Sequence, residues 1–124
     1  MRAHTPEQVI ELFSMALNSR DVDAAIALYE PEATFTPRPG AEVQGLQEIR
    51  GALEQFAALE PQLRGEITKV LSAGGVALVQ NRWLLEGTQP DGSSVEMGGH
   101  SADVLRRPRD GSWRILMDNP WGGG

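Results

Sequence analysis

Val9, Leu12, Phe13, Ala16 and Leu17 recur at helical spacing, so the first apolar cluster occupies one face of a helix. Thr5-Pro6-Glu7-Gln8 supplies its start: an N-cap hydroxyl, proline at the first helical position and a glutamine three residues after the cap. Asn18-Ser19-Arg20 breaks the pattern. Asp21 then stands where it caps a second, shorter helix through Val22, Ile26 and Tyr29, which Pro31 ends. Ala33-Thr34-Phe35-Thr36 alternates like a strand until Pro37, Pro39 and Gly40 force a turn, and a short stretch surrounds Val43. Leu46, Ile49, Leu53, Phe56 and Leu59 mark a third helix with Pro61 beyond it, weakened by the ~1 kcal/mol that Gly51 costs against alanine.

The second half reads as strands: Leu63 to Leu71, Val76 to Glu86, Val95 to Arg106 and Trp113 to Asn119. Gly74-Gly75, Gln89-Pro90-Asp91-Gly92 and Arg109-Asp110-Gly111 between them are turn chemistry. Helices gathered first and antiparallel strands after them predict an α+β domain with the helices on one face of a curved sheet, spanning residues 1–124 as a single domain with a frayed Gly122–Gly124 tail.

Strand alternation divides the last three strands into two sets. One holds Val79, Asn81, Trp83 and Leu85; Met97, Gly99, Ser101, Asp103 and Leu105; and Trp113, Ile115, Met117, Asn119 and Trp121. Its only ionisable residue is Asp103. The other set contains Arg82, Glu86, Glu96, His100, Arg106, Arg114 and Asp118 among apolar residues. Burying an unpaired charge is expensive, so the first set is expected to face the helices.

The chain has 124 residues, 40% hydrophobic and 23% charged, enough to bury roughly two-thirds of its unfolded surface. Its net charge of -6 leaves no positive field for nucleic acid or anionic lipid, so neither partner is expected. Cysteine is absent, which excludes a disulfide framework, a thiolate metal site and a cysteine nucleophile. His4 and His100 have no metal-ligand spacing, and neither a metal nor a cofactor is expected. No stretch approaches the ~18 apolar residues of a membrane helix, and Met1 to Pro6 does not resemble a signal peptide. A cytoplasmic protein is the expectation. Arg106, Arg107, Arg109 and Arg114 read as a solvated basic turn.

The inner set carries the candidate chemistry. A carboxyl among tryptophan and methionine is raised in pKa by desolvation, unless amide donors stabilise its anion. As an acid it donates a hydrogen bond, and as a carboxylate it accepts a proton. Asp103 is therefore the candidate acid or base, with Asn119 as its orienting partner. Asn81 and Ser101 are candidate polar contacts, and Phe13, Trp83, Met117 and Trp121 candidate walls of a pocket for a compact apolar molecule with a carbonyl or hydroxyl. The opposing reading is that Asp103 and Asn119 form a satisfied pair inside a self-filled core, in a non-catalytic dimerisation or partner-interaction module.

Val22 to Tyr29 followed by Glu30-Pro31-Glu32-Ala33-Thr34-Phe35, and Gly45-Leu46-Gln47-Glu48-Ile49-Arg50, resemble the helix, acidic-Ala-Thr strand and Gly-x-x-x-Ile helix start of the nuclear transport factor 2-like superfamily, which includes SnoaL-like cyclases and ketosteroid isomerase. Ser101 to Arg107, Asp110-Gly111-Ser112-Trp113-Arg114 and Asp118-Asn119-Pro120-Trp121 are similar to its SgcJ/EcaC-type branch. The resemblance implies a cone-shaped, cystatin-like α+β barrel, a pocket between helices and concave sheet, and a homodimer through the sheet's outer face. The outer set, with Leu78, Leu84, Val104 and Leu116 among charges, suits such an interface. Ketosteroid isomerase chemistry does not carry over: its oxyanion tyrosine is matched by Phe13 and its general-base aspartate by Pro37, and only its second acid has a counterpart, at Asp103. An Asp-Arg-Asp epoxide-hydrolase relay is no better matched, because Arg82 falls on the outer phase.

Overall fold

Three helices cover one face of a six-stranded curved sheet in a computed structural model that describes residues 3–108 and 110–122. Arg109 and the glycines at 123 and 124 lie outside the described residues. The elements run α1 (Pro6–Asn18), α2 (Val22–Ile26), β1 (Tyr29–Arg38), β2 (Ala41–Gln44), α3 (Leu46–Ala57), β3 (Gln62–Ala73), β4 (Val76–Thr88), β5 (Ser94–Arg106) and β6 (Arg114–Asp118). The sheet order is β2-β1-β6-β5-β4-β3, antiparallel throughout except where β1 lies parallel to β6.

The caps act as the sequence suggests. Thr5 Oγ1 accepts from the Gln8 amide at 3.2 Å and Asp21 Oδ1 from the Ala24 amide at 3.0 Å, each satisfying a donor at a helix start. Val9, Ala16 and Leu17 of α1 and Ile49, Leu53 and Ala57 of α3 are buried against the sheet. Gly51 points to solvent on the opposite side of α3, so its cost is borne without loss of packing. Asn18 ends α1 with a two-pronged clasp on β3: its Nδ2 donates to the Leu63 carbonyl at 3.0 Å and its Oδ1 accepts from the Leu63 amide at 2.6 Å. Gly74, at φ 60°, turns β3 into β4 where a side chain would be strained.

Two local expectations need correction. Tyr29 does not end the second helix but opens β1, and Pro31 lies within that strand. The pairing of β1 with β6 skips from Tyr29↔Ile115 to Thr34↔Met117, so Pro31 falls in an irregular stretch that asks no ladder bond of it. The basic turn is not simply solvated. Arg106 binds the buried carboxylate of Glu30 at 2.9 Å and also Glu32, Arg114 binds Asp110 at 2.9 Å, and Arg107 lies 5.7 Å from the centre of the Trp113 ring.

Candidate functional site

Strand phase decides which groups face the helices. On β4 and β5 the observed phase is the predicted one: Val79, Asn81 and Leu85, and Ser101, Asp103 and Leu105, are buried. On β6 the phase breaks. Val104 pairs with Met117 and Leu105 with Ile115, so Leu116 is an extra residue, a β-bulge that re-aims the side chains beyond it. Ile115 and Asp118 both point inward, whereas Met117 is 45% exposed on the outer face. Met117 is therefore not a pocket wall, and Asp103 is not a solitary inner carboxyl.

A cavity of about 80 Å³ lies between the helices and the inner face of the sheet, several times the ~10–15 Å³ one water requires. Ile10, Phe13 and Leu17 of α1 and Leu53 and Phe56 of α3 form its helical wall. Phe13, Tyr29, Phe35 and Phe56 touch in sequence, ring centres 6.2, 6.4 and 6.2 Å apart, and keep that side apolar. The sheet side ends in Trp83 and Trp121, whose rings meet edge to face at 5.1 Å. The Trp83 indole N–H donates to the Pro120 carbonyl at 2.8 Å. Gly99 stands opposite Trp83, and a Cβ there would meet Pro120 O, Trp121 and Trp83 Nε1 at ordinary contact distances of 3.4–3.5 Å.

Three ionisable groups from three strands meet at the other end. Tyr29 Oη donates to Asp118 Oδ2 at 2.5 Å, the Asp118 and Asp103 carboxyls lie within hydrogen-bonding reach of each other, and Asp103 Oδ1 accepts from the Asn119 main-chain N–H at 2.8 Å. Two carboxyls can share a hydrogen bond only if one of them keeps its proton. Burial pushes Asp103 well above the ordinary carboxylate range, the negative charge of Asp118 pushes it further, and the Asn119 N–H pulls part of the way back. Burial raises Asp118 as well, but the Tyr29 hydroxyl and Asp103 both donate to it and stabilise its anion. Tyr29 is held well above its ordinary value by burial and by Asp118, so it stays a neutral donor. The balance of these influences favours keeping the proton on Asp103 rather than on Asp118.

Of the expected site residues, Phe13, Asn81, Trp83, Ser101, Asp103 and Trp121 line the cavity. Asn119 acts through its backbone. Its side chain folds toward the terminal turn, where a Cβ on Gly122 would collide with its amide. Ser101 Oγ donates to the Asn81 carbonyl at 3.2 Å, tying β5 to β4. Pro37 lines the cavity where the resemblance placed a general base, so that position is apolar here. Sequence reasoning misses Tyr29 and Asp118. The one available signal is Ile115-Leu116-Met117, an unbroken apolar run that fits either phase and so gives no licence to send Asp118 outward.

Helices over one face of a curved, mostly antiparallel sheet, with the hollow between them, define an α+β cone class of fold. Within that class the SnoaL-like domain profile matches residues 9–115, and the chain belongs to this family. Its fold is similar to that of a nuclear transport factor 2-like superfamily protein from Salmonella enterica, at TM-score 0.82 and 17% identity over 94% of this chain and 87% of that one. A ketosteroid isomerase-like protein from Erwinia carotovora gives TM-score 0.79 and 20% identity over 90% and 88% of the two chains. A candidate scytalone dehydratase from Novosphingobium aromaticivorans gives 0.79 and 16% over 90% and 77%. These likenesses show the fold. No curated protein matches the sequence.

Proposed function

We propose that this protein binds a compact, largely apolar carbonyl compound and moves a proton on it, using Asp103 and Asp118 without metal or cofactor. The supporting observation is the buried carboxyl pair itself, a proton donor and a proton acceptor side by side at one end of an apolar cavity. In this reading the Asp103 proton turns from Asp118 to the ligand's carbonyl oxygen and passes to it, while Asp118 takes a proton from the adjacent carbon. The products are a neutral enol and a pair that still carries one proton, now on Asp118, which returns to Asp103 along their hydrogen bond. Asn119 positions Asp103 through its main-chain N–H, and Trp83 and Trp121 exclude water. The ketosteroid isomerase-like neighbour fits this class of chemistry.

A homodimer through the outer face of the sheet belongs to the same proposal. Leu71, Leu78, Val104 and Met117 are paired in a row across β3, β4, β5 and β6 on that face, with Leu71 52% and Met117 45% exposed. The bulge that turns Asp118 inward adds Met117 to this stripe. The cavity beside Asp103 favours this reading over the alternative of an interaction module with a self-filled pocket.

The test is calorimetric titration with cyclohexanone, followed by deuterium incorporation at its α-carbons. Affinity is expected to fall as pH rises through the raised Asp103 value, and exchange to drop at least tenfold in Asp103→Ala. Binding and exchange that ignore both pH and that substitution would refute the proposal.

A further inference from the structure

Two polar groups at the cavity are left over once the hydrogen bonds of the site are made. Asn81 is only 8% exposed, yet among the described residues its Oδ1 meets no donor. The indole N–H of Trp121, equally shut off from solvent, meets no acceptor. A buried polar atom without a partner costs far more than a satisfied one gains, so two of them on side chains that line the same hollow point to a ligand group there. The Asn81 amide is also held there by its surroundings. Gly65 on the neighbouring strand leaves its space open, since a Cβ at that position would fall 2.7 Å from Oδ1. The Ser101 hydroxyl satisfies the Asn81 main-chain carbonyl and leaves the side chain free.

The register places this second polar end relative to the first. Asn81 stands directly opposite Ser101, and Asp103 opposite Val79, so Asn81 and Asp103 are diagonal neighbours on one face of the sheet. Such neighbours are about 7–8 Å apart, a span that a single carbocyclic ring with an oxygen at each end bridges. A hydroxyl is the smallest group that donates to an amide oxygen and accepts from an indole N–H at once.

Building on the carbonyl reading of the acid pair, we propose that the ligand is a hydroxyketone of one ring, its carbonyl at Asp103 and its hydroxyl between Asn81 Oδ1 and Trp121 Nε1. Asn81 and Trp121 then set specificity, because a ketone lacking the distal hydroxyl leaves both groups unpaired.

Cyclohexanone and 4-hydroxycyclohexanone differ by that hydroxyl alone. The hydroxyketone is expected to bind wild type at least about tenfold more tightly, as a hydrogen bond to each orphaned group implies. In 1H–15N spectra the Trp121 indole proton should move downfield with the hydroxyketone and not with the ketone. The affinity ratio between the two probes should fall toward one in Asn81→Leu and in Trp121→Phe, the second of which removes the N–H and keeps an aromatic ring. Equal affinities in wild type, or a ratio that survives both substitutions, would overturn this inference while the carbonyl reading stands. Failure of both probes to bind would remove the carbonyl reading and this inference together.

Discussion

Tyr29, Asp103 and Asp118 concentrate polar chemistry where the surrounding rings offer no solvation. Their hydrogen bonds offset part of the cost, but Asp103 remains raised because its carboxylate would face Asp118 with little water nearby. A carboxyl whose folded pKa exceeds its unfolded one adds most to stability below the ordinary carboxylate range, and that contribution is lost as pH climbs through the raised value. Asp103→Asn, which cannot ionise, is therefore expected to melt higher than wild type at pH 7, by about 3–6 °C. The gain should shrink toward zero near pH 4 in thermal melts across that range. A variant less stable than wild type at pH 7 and level with it at pH 4 would mean that Asp103 is stabilised as an anion.

At the scale of elements, the site depends on joints that hold helices to the sheet. The end of α3 is tied to β4 where the Thr88 amide donates to the Leu59 carbonyl at 2.6 Å, and Gly87 permits that approach: a Cβ there would fall 2.7 Å from Leu59 O. Because the obstacle is backbone, Gly87→Ala is expected to cost about 1–3 kcal/mol in denaturant unfolding. An unchanged midpoint would show that α3 can shift freely. The same scale explains what is legible in the sequence. Thr5, Asp21 and the apolar spacing of α1 and α3 are local signals, and the alternation of β4 and β5 is readable because these two strands pair with each other without irregularity. The bulge at Leu116 is a property of two strands together, so nothing local in Ile115-Leu116-Met117 announces it, and plain alternation sends Asp118 to the wrong face. Tyr29 is hidden for a related reason: a residue two positions before proline suits a helix end as well as an irregular strand.

For the whole molecule, one sheet serves two purposes on its two faces. The inner face meets the helices around the cavity, and the outer face carries the apolar row Leu71, Leu78, Val104 and Met117. If that row is the proposed dimer contact, Leu78→Lys, at its centre, should convert the protein to a monomer in sedimentation velocity while leaving the cavity and its acid pair intact. A wild type that sediments as a monomer at high micromolar concentration would contradict the dimer and leave the site unaffected. Fold class is the most legible property of all, since helices first and strands after allow few alternatives.

Everything proposed for the site rests on one proton held between Asp103 and Asp118. Carbon-13 NMR of the two side-chain carboxyls across a pH titration reads that state directly. Asp103 is expected to titrate well above the ordinary carboxylate range, Asp118 to respond to the same event, and Asp118→Asn to lower the Asp103 midpoint. Two carboxyls that both ionise independently below about pH 4 would contradict that expectation.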